Sequence, residues 1–129
     1  MSWKMSFVAY GNNFYPSKIN YTFSESIDVG TVGNAGPYKG RPIPFGRATL
    51  ALPDDAESRE SLQSLCEIAI QLKPSFESAG ADTFKLWVLR EYENQCNEAL
   101  SPDELRLIAS LGCTLCYSAY ETDGADNDT

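Results

Sequence analysis

A stretch rich in glycine and proline limits what this chain can fold into more than any other feature. Between Ser24 and Gly46 the sequence holds five glycines and three prolines: Gly30, Gly33, Gly36, Gly40, Gly46, Pro37, Pro42 and Pro44. Glycine and proline both disfavour helix, so no helix is expected here. A segment this long without regular structure is uncommon in a compact domain, and it is usually functional, mobile or built around a short strand. We expect such a strand at Ile27–Val32.

Short segments of strand-like composition lie on both sides of this loop. Ser6–Tyr10 is followed by the turn sequence Gly-Asn-Asn, and further strands are predicted at residues 47–52 and 113–120. Pro16 is placed to begin a brief helix, where its missing N–H costs nothing. The predicted strands therefore lie on both sides of the loop.

Residues 83–92 form the most apolar predicted strand. Phe84, Leu86 and Val88 share one face of it, while Trp87 and Leu89 share the other. Apolar side chains on both faces are typical of a central strand, so we expect this strand to be covered on two sides.

Two helices are predicted in the second half. The first has one buried face at a spacing of three and four residues, with Asp54 or Asp55 as its cap and Pro74 as its end or a kink. That face consists of Leu62, Leu65, Cys66, Ala69 and Leu72. The second begins at the capping box Ser101–Glu104 and ends before Gly112. Its inner stripe is predicted to be Leu105, Ile108 and Leu111.

These elements predict one α+β domain, with a mixed or mostly antiparallel sheet of about five strands and two main helices. A chain of 129 residues is the usual length of a single domain. The domain is expected to span residues 1–121, with the Gly/Pro-rich loop at 24–46. The acidic tail at 122–129 is expected to be disordered.

Charge is distributed unevenly along the chain. Residues 1–52 hold five basic and two acidic side chains, whereas residues 53–129 hold five basic and sixteen acidic ones. An acidic field repels nucleic acid and membrane headgroups and speeds the encounter with a basic partner. The alternative is a solvated surface that keeps the protein soluble. No nucleic acid or membrane partner is expected.

The sequence offers little for catalysis. Histidine is absent, which removes the commonest general base and the commonest metal ligand. Cys113 and Cys116 are predicted to point to opposite faces of a strand, and Cys66 and Cys96 stand alone, so buried thiols are expected instead of a zinc or redox site. The run Gly30–Gly36 lacks both nucleotide-binding fingerprints. No cofactor, metal or catalytic residue is therefore predicted.

Two groups of residues are candidates for contacting a partner. The stronger group is acidic, and the weaker group combines an aromatic ring with two cations in the Gly/Pro-rich loop. The acidic group consists of Asp54, Asp55, Glu57, Glu60, Glu91 and Glu93, and the loop group consists of Tyr38, Lys39 and Arg41. Only some of these can share one face.

The pattern from Phe7 to Tyr120 resembles an uncharacterised family of small bacterial α+β domains. The matching features are Tyr10-Gly11-Asn12 with Pro16 and Ile19, a Lys39-Gly40 loop, a helix ending near Leu72-Lys73-Pro74, and Leu100–Leu105 followed by Leu111-Gly112. The lengthened Gly/Pro-rich loop departs from that family.

Such domains look like the immunity proteins of contact-dependent growth inhibition and polymorphic toxin systems. The resemblance implies a cytosolic, non-enzymatic protein that binds a cognate toxin, a basic nuclease domain, as a monomer or in a one-to-one complex. An adaptor module with another partner and an enzyme based on carboxylates or on the Cys113–Cys116 region remain as alternatives. The start of the sequence lacks an apolar export signal, which also predicts the cytosol and reduced cysteines.

Overall fold

The computed structural model describes residues 2–51, 60–95 and 99–122. These residues form a five-stranded sheet in the order β2-β3-β1-β4-β5, together with two α-helices. The elements are β1 Ser2–Gly11, β2 Glu25–Ile27, β3 Gly46–Ala51, α1 Glu60–Ser78, β4 Thr83–Tyr92, α2 Pro102–Ser110 and β5 Thr114–Glu121. The predicted α+β class is confirmed.

The sheet is mixed, and β1 is its centre. β1 pairs antiparallel with both β3 and β4, so that Phe7 lies opposite Leu50 on one side and opposite Leu86 on the other. β2 continues the sheet antiparallel to β3, whereas β5 runs parallel to β4. A parallel neighbour requires a crossover, and α2 supplies it between β4 and β5.

One face of the sheet carries the core. Alternate strand residues point to this face and pack with buried residues of both helices. The largest fully buried side chains of this core include Phe7, Phe14, Phe76, Leu65 and Leu86. We call this the covered face.

The expectation that β4 is covered on two sides is wrong. Phe84, Leu86 and Val88 are buried as predicted, but Trp87 is 40% exposed. The reason is that in the described residues both helices pack against the same face, which leaves the opposite face without a helix.

Helix α1 has the predicted buried stripe, with Leu62, Leu65, Cys66 and Ala69 inside and Leu72 half-buried. It does not end at Pro74, however, but continues to Ser78. The last turn is held by Phe76, which is fully buried. The Phe76 ring centroid lies 5.6–6.3 Å from the centroids of Phe7, Phe14, Phe23 and Phe84.

Helix α2 begins as the sequence predicts. The Ser101 hydroxyl accepts from the Glu104 N–H, and the Glu104 carboxylate accepts from the Ser101 N–H, which completes the capping box. Ile108 and Leu111 are buried, but Leu105 is 52% exposed, so its assignment to the inner stripe is wrong. Leu107 packs against the core in its place.

The Gly/Pro-rich loop is folded by its own backbone hydrogen bonds. The strand expected at Ile27–Val32 is instead β2, Glu25–Ile27, and Val32 makes a single antiparallel bridge to Pro42. Gly30 donates to Ile43 and Ile43 donates to Thr31, both at 2.8 Å. A short 3₁₀ helix, Gly36–Tyr38, also forms where no helix is expected. One helical turn needs only a few residues, so the surrounding glycines do not prevent it.

Candidate functional site

The sheet surface opposite the covered face is the candidate site, and we call it the open face. It is formed by the strand residues that alternate with the core residues, as the pairing register fixes. Its members are Lys4, Ser6, Val8 and Tyr10 of β1, Glu25 and Ile27 of β2, Arg47, Thr49 and Ala51 of β3, Thr83, Lys85, Trp87, Leu89 and Glu91 of β4, and Thr114, Cys116, Ser118 and Tyr120 of β5.

Trp87 lies in the middle of the open face. Its cross-strand neighbours are Ser6 on β1 and Cys116 on β5, both small, so the indole stays 40% exposed. Tyr120 on β5 is 51% exposed, and Leu89 between them on β4 is half-buried. Large exposed apolar groups held on rigid strands are typical of a binding surface.

Aromatic rings and a cation gather at one end of the open face. The Tyr10 ring centroid lies 6.4 Å from that of Phe45, which in turn lies 6.1 Å from that of Tyr38. The Lys85 ammonium lies 5.5 Å from the Tyr10 ring centroid. The Gly/Pro-rich loop therefore borders the open face through Tyr38.

The opposite end of the open face is acidic. Glu91 is in register with Tyr120 of β5, and Glu93 follows directly after β4 and is exposed. Glu91 lies eight residues beyond Thr83, the partner of Tyr10, which places the two ends roughly 26 Å apart at about 3.3 Å per strand residue.

An ion pair closes the β2 side of the open face. Arg47 Nη2 lies 2.5 Å from Glu25 Oε1, with both side chains partly exposed. Arg47 is matched by Glu25, and Lys4 and Lys85 are the other basic residues among the described members of the open face. Lys85 lies at the aromatic end, and Lys4, opposite Leu89, lies near Glu91 at the other end, so that end carries charges of both signs with an excess of acid.

The three predicted loop contacts lie in different surroundings. Tyr38 is half-buried against Phe45, and the Arg41 guanidinium donates to the Pro37 carbonyl, which ties that cation to its own loop. Lys39 is exposed, and its N–H donates to the Gly36 carbonyl. Only Tyr38 is linked to the open face, through Phe45.

The predicted acidic contacts divide into two groups. Glu91 and Glu93 lie at the acidic end of the open face. Glu60 is the first residue of α1, and the remaining three, Asp54, Asp55 and Glu57, lie outside the described residues. The same is true of Cys96 and of residues 123–129 in the predicted tail.

The described cysteines lie in different surroundings. Cys116 is on the open face beside Trp87, whereas Cys113 precedes β5 and packs against the core, so the two diverge as predicted. Cys66 is fully buried, and that burial raises the pKa of its thiol to about 11. Burial also raises the pKa of Cys113. Within residues 2–51, 60–95 and 99–122, no cluster of three or more Cys, Asp or Glu side chains could hold a metal ion.

An open cleft of about 350 Å³ lies elsewhere, between the 3₁₀ helix Pro16–Lys18 and the end of α1. Lys18, Asn20, Ser75 and Ser78 contribute to its wall. Among the described lining residues Lys18 is the only charged one, so the cleft is a weaker candidate than the open face. Across the described parts of the chain, neither helix is long and apolar enough to cross a membrane.

Sequence reasoning missed the aromatic residues of the open face as contacts. The sequence at 84–89 has apolar side chains on both sides of β4, which is compatible with burial of both faces or with one exposed apolar face. The number of predicted helices distinguishes burial of the second face of β4 from its exposure. Two helices can cover one face of a five-stranded sheet but not both.

Comparison of the chain with protein-family models, with curated proteins and with solved structures gave no match.

Proposed function

We propose that this protein is a non-catalytic binding protein of the cytosol that neutralises a cognate bacterial toxin by forming a tight complex, with one toxin bound per chain. The observation that carries the proposal is the open face, where Trp87 and Tyr120 stand exposed on the sheet. The toxin class that fits is a nuclease domain with a basic substrate-binding surface.

The open face suits recognition of a folded protein. Interfaces obtain most of their binding energy from a few central side chains, and Trp and Tyr are the most enriched among them. Trp87 and Leu89 on β4 and Tyr120 on β5 stand on paired strands, so the backbone that carries them loses little conformational freedom when a partner docks. Such a surface can bind tightly without a conformational change.

Charge supports a basic partner at one end of this surface. Glu91 and Glu93 lie beside the apolar centre, and the net formal charge of the whole chain is −8. Opposite fields raise the rate of encounter, which matters for an inhibitor that must capture its target before the target acts. Lys85 at the other end of the face would meet an acidic or aromatic group of the same partner.

A second candidate function is an adaptor that binds a partner other than a toxin, because the open face serves either role. The gene next to the one that encodes this chain distinguishes them. A neighbouring reading frame that ends in a basic nuclease-like domain favours the inhibitor, and a neighbour of another kind favours the adaptor.

The direct test is co-expression of the chain with that neighbouring domain. We expect the chain to restore growth and to purify with the domain in a one-to-one ratio. Trp87→Ala and Tyr120→Ala should each weaken binding by about 2 kcal/mol, roughly thirtyfold, as for central interface residues. The control is Ile70→Ala on α1, because Ile70 is 41% exposed but lies on a helix and not on the open face.

Two outcomes would contradict the proposal. If growth is not restored and no complex forms, the protein does not neutralise that domain. If Ile70→Ala weakens binding as much as Trp87→Ala does, the open face is not the binding surface. Glu91→Arg tests the charge argument separately, since it should slow association and reduce its dependence on salt while leaving the dissociation rate nearly unchanged.

A further inference from the structure

Strand β5 is an edge of the sheet with unusual exposure. It pairs with β4 on one side, and in the described residues no strand pairs with its other side. Seven of its eight residues are exposed, and the eighth, Cys116, is half-buried. Leu115 and Tyr117 point toward the covered face but lie at its margin, 39% and 41% exposed. Roughly half of the N–H and C=O groups of such an edge strand point outward and are available to another strand.

The other edge, β2, is different. It has three residues, and its Glu25 is engaged with Arg47. Short edge strands with charged side chains are protected against pairing with other chains. β5 has eight residues, without lysine, arginine or proline, and its first seven residues carry no charge. This edge therefore lacks the usual features that keep sheets apart.

We propose that β5 pairs antiparallel with β5 of a second copy of this chain, which joins two sheets into one of ten strands. The inference does not depend on the proposed function. Antiparallel pairing about a twofold axis normal to the sheet brings like faces to the same side. Both open faces then lie on one surface of the joined sheet, and Trp87 of each chain remains exposed there.

The local charges at the two ends of β5 suit a second copy as the partner, whereas the net formal charge of −8 on each chain opposes association at low salt. The one charged residue of β5 is Glu121, at its end, so in a pair centred on Tyr117 each Glu121 lies opposite Cys113 of the other chain. Lys73 is close to that position, because its ammonium donates to the Leu111 carbonyl at 2.6 Å. The two acidic ends are thus kept apart, and each approaches a lysine of the opposite copy. The uncharged middle of one strand meets the uncharged middle of the other.

This pairing produces a closed dimer. A twofold contact uses the same edge of both chains, so β5 is consumed in the dimer and the remaining edges are the short β2 strands. The assembly should therefore stop at two chains, with twice the 14.2 kDa mass of one.

The test is sedimentation equilibrium of the full chain over a range of concentrations at an ionic strength of about 0.15 M, which screens the repulsion between two acidic chains, with Ser118→Lys and Ser26→Lys as matched variants. Both serines are exposed residues of edge strands, Ser118 on β5 and Ser26 on β2. We expect a monomer–dimer equilibrium for the natural chain and for Ser26→Lys. Ser118→Lys brings two like charges close together across the twofold axis and should raise the dissociation constant at least about tenfold.

Amide hydrogen exchange gives a second readout that does not need a variant. Protection of β5 amides should increase with protein concentration, while protection of β2 amides should not change. A natural chain that remains monomeric at the highest concentration would overturn the proposal. So would a dimer that Ser118→Lys leaves intact, a dimer that Ser26→Lys disrupts instead, or growth into species larger than two chains.

Discussion

Leu86 and Trp87 are neighbours on β4, yet they serve different purposes. Leu86 is fully buried on the covered face, and Trp87 is 40% exposed on the open face. Both are large apolar side chains, so composition alone does not separate them. The difference is made by α1 and α2, which pack against one face of the sheet in the described residues. Apolar character on the covered face stabilises the fold, whereas on the open face it is available to a partner.

The largest expected effect comes from Phe7 in the covered face. Phe7 is fully buried and its ring lies about 6 Å from those of Phe76 and Phe84. Phe7→Ala should lower the free energy of unfolding by about 3–5 kcal/mol, through lost burial and the cavity that remains. Urea unfolding followed by circular dichroism measures this.

Trp87→Ala provides the matched change on the open face. It removes an aromatic ring of similar or larger size from a partly exposed site, and the expected cost is less than about 1.5 kcal/mol. Equal losses for Phe7→Ala and Trp87→Ala would contradict the distinction between the two faces.

A second large effect is expected at Gly80, in the turn between α1 and β4. Gly80 has a φ of +106°, and a Cβ there would lie 2.0 Å from the Asn13 carbonyl oxygen. Gly80→Ala should therefore cost about 2–4 kcal/mol, from the strained backbone and from a clash that must move the loop beside Phe14. Thermal unfolding measures the loss.

Gly30→Ala distinguishes the cost of the strained backbone from the cost of the steric clash at Gly80. Gly30 also has a positive φ, +88°, but nothing lies within 4 Å of the position of its Cβ. Its substitution should cost only the backbone term, about 1 kcal/mol. If Gly30→Ala is as damaging as Gly80→Ala, the close approach at Asn13 is not what makes glycine necessary there.

Ser101→Ala should produce a smaller loss. The Ser101 hydroxyl accepts from the Glu104 N–H at 3.1 Å, and without it that donor at the start of α2 loses its partner. The expected cost is about 1 kcal/mol, the usual value for an N-cap. Ser64→Ala, at an exposed position within α1, is the control and should change stability little. Partner binding should be unaffected, since Ser101 lies outside the open face, and a large loss of binding at unchanged stability would contradict its structural role.

The structure differs from the sequence-based expectations at some residues and agrees with them at others. The capping box at Ser101 and the span of β4 were predicted correctly because they depend on residues close together in the chain. The exposure of Trp87 was not, because it depends on how many helices reach each face of the sheet. The predicted burial of Leu105 is wrong for a related reason. Helix α2 has several apolar side chains, and which of them are buried depends on how the helix packs against α1 and the sheet. The predicted contacts Glu91 and Glu93 fall at the end of the open face, but nothing in their local sequence indicates Tyr120 beside them.

The last comparison of the two faces concerns the rates at which their cysteines react with an alkylating reagent. Cys66 of α1 is fully buried in the core against the covered face, and burial raises the pKa of its thiol from 9.0 to about 11. Cys116 is half-buried on the open face. A thiol reacts with alkylating reagents as the thiolate, so native protein at pH 8 should be alkylated at Cys116 well before Cys66, as peptide mass spectrometry would measure. Faster labelling of Cys66 would contradict its burial.

The same pKa shift makes stability depend on pH in a defined direction. Folded Cys66 retains its proton to about pH 11, whereas the unfolded thiol loses it near its ordinary pKa of 9.0. The stabilisation is therefore fully present below pH 9.0 and is lost as the pH rises through 11. Cys66→Ala lacks this titration, so the natural chain should lose more of its unfolding free energy than the variant between these two pH values. All other titratable groups are the same in both proteins, so their contributions cancel in the difference. A difference that stays constant with pH would show that the thiol of Cys66 is not shielded by the covered face.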